Sequence, residues 1–131
     1  ADGTRRILDA RARLLDHGAA LVAPCPHAAP CPLAAGDWCH FGVRLNRSSL
    51  HRRLKRATLA YEDEKYAYVI VAREPVGLVA GRVIRRPDVR AGRVLLHVCA
   101  PGGVSVRTIT RRDGGHYRLA RQGHWGDAWE A

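Results

Sequence analysis

Three cysteines fall within fifteen residues, in a string that runs from Cys25-Pro26-His27 through Cys31-Pro32 to Trp38-Cys39-His40-Phe41. A fourth, Cys99, closes an apolar run far downstream. Four thiolates are the set that an iron–sulfur cluster or a structural zinc takes. The spacing Cys-x5-Cys-x7-Cys differs from the Cys-x2-Cys knuckle of zinc ribbons, so the metal stays open at this point. Proline after a cysteine removes one amide and stiffens the turn, which aims the thiolate. His27 and His40 flank the cysteines and are candidate zinc ligands or hydrogen-bond donors; His17, His51, His97, His116 and His124 show no metal spacing. Inert core thiols are the competing reading. Two disulfides are poorly motivated, because no secretory leader is visible and 131 residues can build a core.

The second chemical signal is charge. Twenty-two Lys and Arg face 12 Asp and Glu, for a net charge of +10. Only Lys55 and Lys65 are lysine, a bias that suits a GC-rich genome. An excess of this size favours polyanions, nucleic acid phosphates above all. It concentrates in residues 43–60 as Arg44, Arg47, Arg52, Arg53, Lys55 and Arg56, without one acid. Ser48 or Ser49 can cap a short helix there. Leu50, Leu54 and Ala57 would face inward and Arg52, Arg53 and Arg56 outward, as an RNA-binding helix presents them. An ordinary solvated helix face is the alternative.

Positioning these groups requires a frame. Residues 4–16 predict a helix capped by Thr4, with Ile7, Ala10 and Leu14 as one stripe, Leu8, Ala12 and Leu15 widening it, and Gly18 ending it. Residues 19–23 predict a buried strand that Pro24 terminates, and 24–42 a loop that a metal centre would organise. The acids Glu62-Asp63-Glu64 read as a solvated strand entry, and 66–72, apolar on both faces, as a central strand. Beyond Val76, runs 78–84, 93–99, 104–110 and 116–121, separated by turn signals such as Pro101-Gly102-Gly103 and Asp113-Gly114-Gly115, predict an antiparallel meander or small barrel. Arg107, Arg111, Arg112, Arg118 and Arg121 decorate it. Trp125 and Trp129 are expected to pack against it.

The length suits one domain or two small ones that bury roughly two thirds of the unfolded surface. No apolar stretch approaches the ~20 residues of a membrane span, so a soluble chain with no membrane partner is expected. Methionine is absent, even at position 1, which predicts a piece of a longer protein. No glycine-rich nucleotide turn, phosphate loop or nucleophile elbow is present. Neither catalytic nor organic-cofactor-binding residues are identifiable.

The string Ala23-Pro24-Cys25-Pro26-His27, Cys31-Pro32 and Asp37-Trp38-Cys39-His40-Phe41, followed by Arg47-Ser48-Ser49-Leu50-His51-Arg52-Arg53-Leu54-Lys55 and Glu62-Asp63-Glu64-Lys65, resembles the ribosomal small-subunit methyltransferase-like family of bacteria and mitochondria. The similarity extends to Cys99 and to Trp125-Gly126-Asp127-x-Trp129. It implies an α/β fold: the late part of a class I, Rossmann-like methyltransferase, with a Cys-rich insertion and a C-terminal antiparallel β-rich extension. Residues 1–75 would be the methyltransferase-like part, with the insertion at 24–56, and 76–131 the extension. Strands 19–23 and 66–72 would be the final pair of the sheet, with the cluster loop between them. The resemblance further implies a [4Fe-4S] cluster on Cys25, Cys31, Cys39 and Cys99. S-adenosylmethionine would bind only the full-length parent, so this piece is not expected to turn over alone. Small-subunit rRNA or the pre-ribosomal small subunit is the implied partner of a monomeric chain, in bacterial cytoplasm, or in mitochondria for a eukaryote. A zinc-stabilised RNA-binding domain is the alternative.

Overall fold

The computed structural model describes residues 2–34 and 36–130. Helix α1 (Asp2–Asp16) starts two residues before the expected cap, which places Thr4 inside the first turn. It ends at Gly18, whose φ of +82° is the left-handed conformation that glycine adopts without strain. The expected apolar stripe is only partly buried: Leu14 is 38% exposed, whereas Arg11, at 6%, is enclosed. Strand β1 (Ala20–Ala23) follows, and the described residues between 24 and 40 then run without helix or strand.

An arm comes next, built from β2 (Phe41–Asn46), helix α2 (Ser49–Leu54) and β3 (Tyr61–Tyr66). Its strands pair antiparallel without interruption, from Phe41 opposite Tyr66 to Asn46 opposite Tyr61. Ser48 caps α2 as expected, its hydroxyl accepting from the His51 amide at 3.1 Å. The inward burial expected of Leu50 and Leu54 does not occur; they are 54% and 76% exposed. Trp125 lies against Phe41 and Gly42 at the arm's base, whereas α2, at the far end, buries none of its own residues.

The single strand expected over 66–72 is divided. The arm's ladder ends at Tyr66, Ala67 and Tyr68 turn towards an interior cavity, and β4 (Ile70–Ala72) begins beyond them. Strand β4 pairs antiparallel with β1, Ala20 opposite Ala72. The expected partnership of these two segments is therefore present, with the cysteine loop and the arm inserted between them. The described residues make an α/β structure whose sheets are all antiparallel.

The rest is a five-stranded sheet of β5 (Gly81–Val83), β6 (Asp88–Arg90), β7 (Arg93–Ala100), β8 (Gly103–Thr110) and β9 (Ala128–Trp129). Strand β7 is central: β8 pairs along its full length on one side, and β6 and β5 share the other. Strand β9 pairs with β5 only, so the sheet stays open and does not close into a barrel. The expected strand at 116–121 is instead helix α3 (Gly115–Gln122). Tyr117 and Ala120, three residues apart, share a helical face that seals the sheet, and Ala120 is fully buried. Val83, Val94, Leu96 and Val98 meet Ala120 and Trp129 in this core. Trp129 thus packs on the sheet as expected.

Leu96 is 1% exposed, so Leu96→Ala is expected to cost about 2–5 kcal/mol in denaturant unfolding. Gly81→Ala is expected to destabilise as well, since its Cβ would lie 2.8 Å from Val98 Cγ1 and 3.0 Å from the Trp129 carbonyl. Unchanged midpoints would contradict the packing described.

Candidate metal centre and nucleic-acid interface

The structure brings together the four cysteines that the sequence singles out. Cys25, Cys31 and Cys39 from the loop and Cys99 from β7 all line one cavity of about 40 Å³. None forms a disulfide. In the register of the sheet Cys99 lies opposite Arg82, so both project from the same face into this space. His27 Nε2 lies 3.6 Å from Cys99 Sγ. His40 instead stacks on Trp38, ring centroids 3.9 Å apart, with its Nδ1 3.0 Å from the Trp38 carbonyl. Among the described residues, no three His, Cys, Asp or Glu side chains are grouped as ligands of one ion.

A loop with so few apolar residues needs other anchors, and arginines provide them. Arg11, from α1, donates from one Nη to the carbonyls of His27 and Ala29 at 2.8 and 2.9 Å. Arg82 donates to the Pro24 carbonyl and, from its other arm, to the Gly126 carbonyl, each at 2.9 Å. Arg85 pairs with Asp37 at 2.5 Å. An aromatic group closes the remaining side: Phe41, 3% exposed, packs against Tyr66, Tyr68 and Trp125. Sequence reasoning missed these anchors. One signal was available for Arg11, which falls between Ile7 and Leu14 on the helix face expected to be apolar.

The thiols carry the electrostatic mark of crowding. Burial, with the other three cysteines adding, pushes the Cys39 thiol up to about 12. Burial and the neighbouring Cys25 and Cys31 raise Cys99 to about 11. Cys25 is raised by burial too, although Arg11 opposes the shift by charge and by a hydrogen bond. Four thiolates cannot coexist here without a cation among them. The donor set therefore suits a metal centre, whether iron–sulfur or zinc.

The six basic residues of the arm separate into two groups. Arg44 pairs with Asp63 at 2.7 Å and lies over the Tyr61 ring at 3.9 Å. Arg47 and Lys55 both reach Glu62, at 2.8 and 3.1 Å. These contacts hold the Glu62 and Asp63 carboxyls below their ordinary range. Of the acids expected as a solvated strand entry, Glu62 is instead a brace within the arm, while Asp63 pairs with Arg44 at the surface and Glu64 is exposed as expected. Arg52, Arg53 and Arg56 are exposed, and no partner binds their guanidinium groups among the described residues. Arg56 closes α2 with φ of +48°, the left-handed position a glycine usually takes. On the sheet module Arg107, Arg111, Arg112 and Arg118 are also exposed, while Arg121 lies 5.9 Å from the centre of the Tyr117 ring.

The sequence profile of the family described as "Mitochondrial small ribosomal subunit Rsm22" matches residues 1–130 of this chain. The chain belongs to that family. Among curated proteins it is 33% identical, over 112 residues, to the human "Ribosome assembly protein METTL17, mitochondrial". That alignment covers 82% of this chain but 24% of the relative, so the chain spans about a quarter of the relative's length. The match takes in the cysteine loop, the arm and the sheet module as one Rsm22-type unit.

In the metal-free form of this Rsm22 family member, Cys39 and Cys99 are expected to be protonated at neutral pH. Their alkylation by iodoacetamide should be slow at pH 8 and accelerate only towards pH 11–12. Mass spectrometry of the labelled peptides measures this; rates at pH 8 equal to those of a free thiol would contradict the crowding.

Proposed function

We propose that this chain is the cluster-bearing, rRNA-contacting part of a small-ribosomal-subunit assembly factor. Cys25, Cys31, Cys39 and Cys99 hold a [4Fe-4S] cluster, and the arm grips rRNA phosphates. The observation that carries this reading is the convergence of four thiols, from a loop and a distant strand, on one cavity. Four cysteine thiols on one cavity suit a [4Fe-4S] cluster, and the resemblance carried by the cysteine string favours it over a lone tetrahedral zinc. The assembly role is supported by the similarity to the human relative, a ribosome assembly protein. When bound, the cluster would supply a four-point cross-link between the loop and β7. Methyl transfer, and S-adenosylmethionine with it, belongs on this reading to the parent's remaining length. The compartment is the mitochondrion for a eukaryotic source and the cytoplasm for a bacterial one.

Within the arm, Arg52, Arg53 and Arg56 make the phosphate contacts, while Arg44, Arg47 and Lys55 hold the strands that present them. Phosphate contacts position without reading sequence.

Anaerobic purification followed by metal analysis tests the centre. About four irons with matching sulfide and a broad visible band are expected, and Cys99→Ser should lose them. A colourless protein with about one zinc would replace the cluster by a tetrahedral site, and a metal-free protein would end the metal reading. For the arm, charge reversal at Arg52, Arg53 and Arg56 should weaken binding to small-subunit rRNA fragments. It should also flatten the plot of log affinity against log salt by about 2–3, the share of three phosphate contacts. An unchanged slope would remove these residues from the interface.

A further inference from the structure

We propose that Thr4, Arg11 and His27 form a set of hydrogen-bond donors, with Arg11 as its positive charge, built to receive an anionic, sulfur-rich centre. This rests on the reading that the four cysteines hold a metal centre. Each of the three residues lines the cysteine cavity. Each also buries a polar side-chain atom that has no partner: Thr4 Oγ1, Arg11 Nε and His27 Nδ1. Buried polar groups are nearly always satisfied, so three orphans around one cavity point to an absent acceptor. All three can donate, His27 from both Nδ1 and Nε2, the latter 3.6 Å from Cys99 Sγ, when its ring carries both protons.

The charge of that acceptor follows from Arg11. Its guanidinium is 6% exposed, and no carboxylate pairs with it among the described residues. Its partners are the carbonyls of His27 and Ala29, which take one Nη, and the Cys25 thiol, all neutral groups that leave the charge uncompensated until that sulfur is a thiolate. Enclosing an unpaired cation is strongly unfavourable, so a negative partner is built into the site. Four thiolates on iron–sulfur or zinc leave a net anion whose sulfurs accept such bonds. The other loop anchors are differently used, since Arg85 has Asp37 and Arg82 spans two carbonyls.

The test compares the reconstituted wild-type chain with Thr4→Val, a near-isosteric loss of one donor, and Arg11→Gln, which keeps a donor but drops the charge. Metal release into excess chelator should be several-fold faster in Thr4→Val. In Arg11→Gln it should be about ten- to a hundredfold faster, as when other groups that support metal ligands are lost. If the centre is iron–sulfur, the midpoint potential should fall in both variants, because donors and positive charge favour the reduced form. Release and potential equal to wild type in both variants would overturn the donor set while leaving the metal centre intact. A wild-type chain that takes up neither iron nor zinc would instead overturn the reading on which this rests. Should Arg11→Gln fail to fold, Thr4→Val decides alone.

Discussion

Adjacent residues of a β-strand face opposite ways, and at positions 98 and 99 that alternation joins two interiors. Val98 enters the apolar core with Val94 and Leu96, while Cys99 turns to the cavity of thiols. The neighbouring strand repeats the division, since Val83 lies opposite Val98 and Arg82 opposite Cys99. A slip of one residue would put valines among the thiols and an arginine and a thiol in the core. Gly81 makes such a slip costly. Val98 and the Trp129 backbone approach it so closely that no other residue fits between them. The apolar core of the sheet thereby sets the position of the most distant cysteine.

The other three cysteines are held by different physics. Residues 24–40 have no ladder and little to bury, so their backbone carbonyls are captured by guanidinium groups whose own attachment is rigid. Arg11 is fixed on a helix and Arg82 on a strand, and both point at the loop. This arrangement places positive charge beside the cavity that the four cysteines line. At Cys25 the Arg11 charge opposes the upward shift from burial without cancelling it. Shape and charge are thus set by the same side chains.

Residues that declare their chemistry by type were legible in the sequence. The cysteine set, the Ser48 cap and the Gly18 stop need only local information. The hairpin at Pro101-Gly102 was legible for the same reason. Arg11 was not, because an arginine in a helical pattern reads as solvated, and its partners are carbonyls sixteen and eighteen residues away. Segment 116–121 was misread because six residues are too few to separate a strand period from a helical one. Leu50 and Leu54 carry the spacing of a buried face, but that spacing cannot say whether anything lies beneath it. The pairing of β1 with β4 was legible as a partnership, and among the described residues the two form a sheet of their own.

The arm and the cavity share a root. Phe41 is the first residue of β2 and its most buried, and it lines the cavity. Its partner Tyr66 ends β3, and Tyr68, two residues on, lines the cavity as well. Trp125 presses on the same base, 3.1 Å from where a Cβ on Gly42 would stand. Above that base the arm faces Arg86, Pro87 and Val89 across an open cavity, and its root lies where Phe41 and Tyr68 meet the cysteine loop. The exposed arginines of α2 stand at the far end of the same two strands, on the connection between β2 and β3.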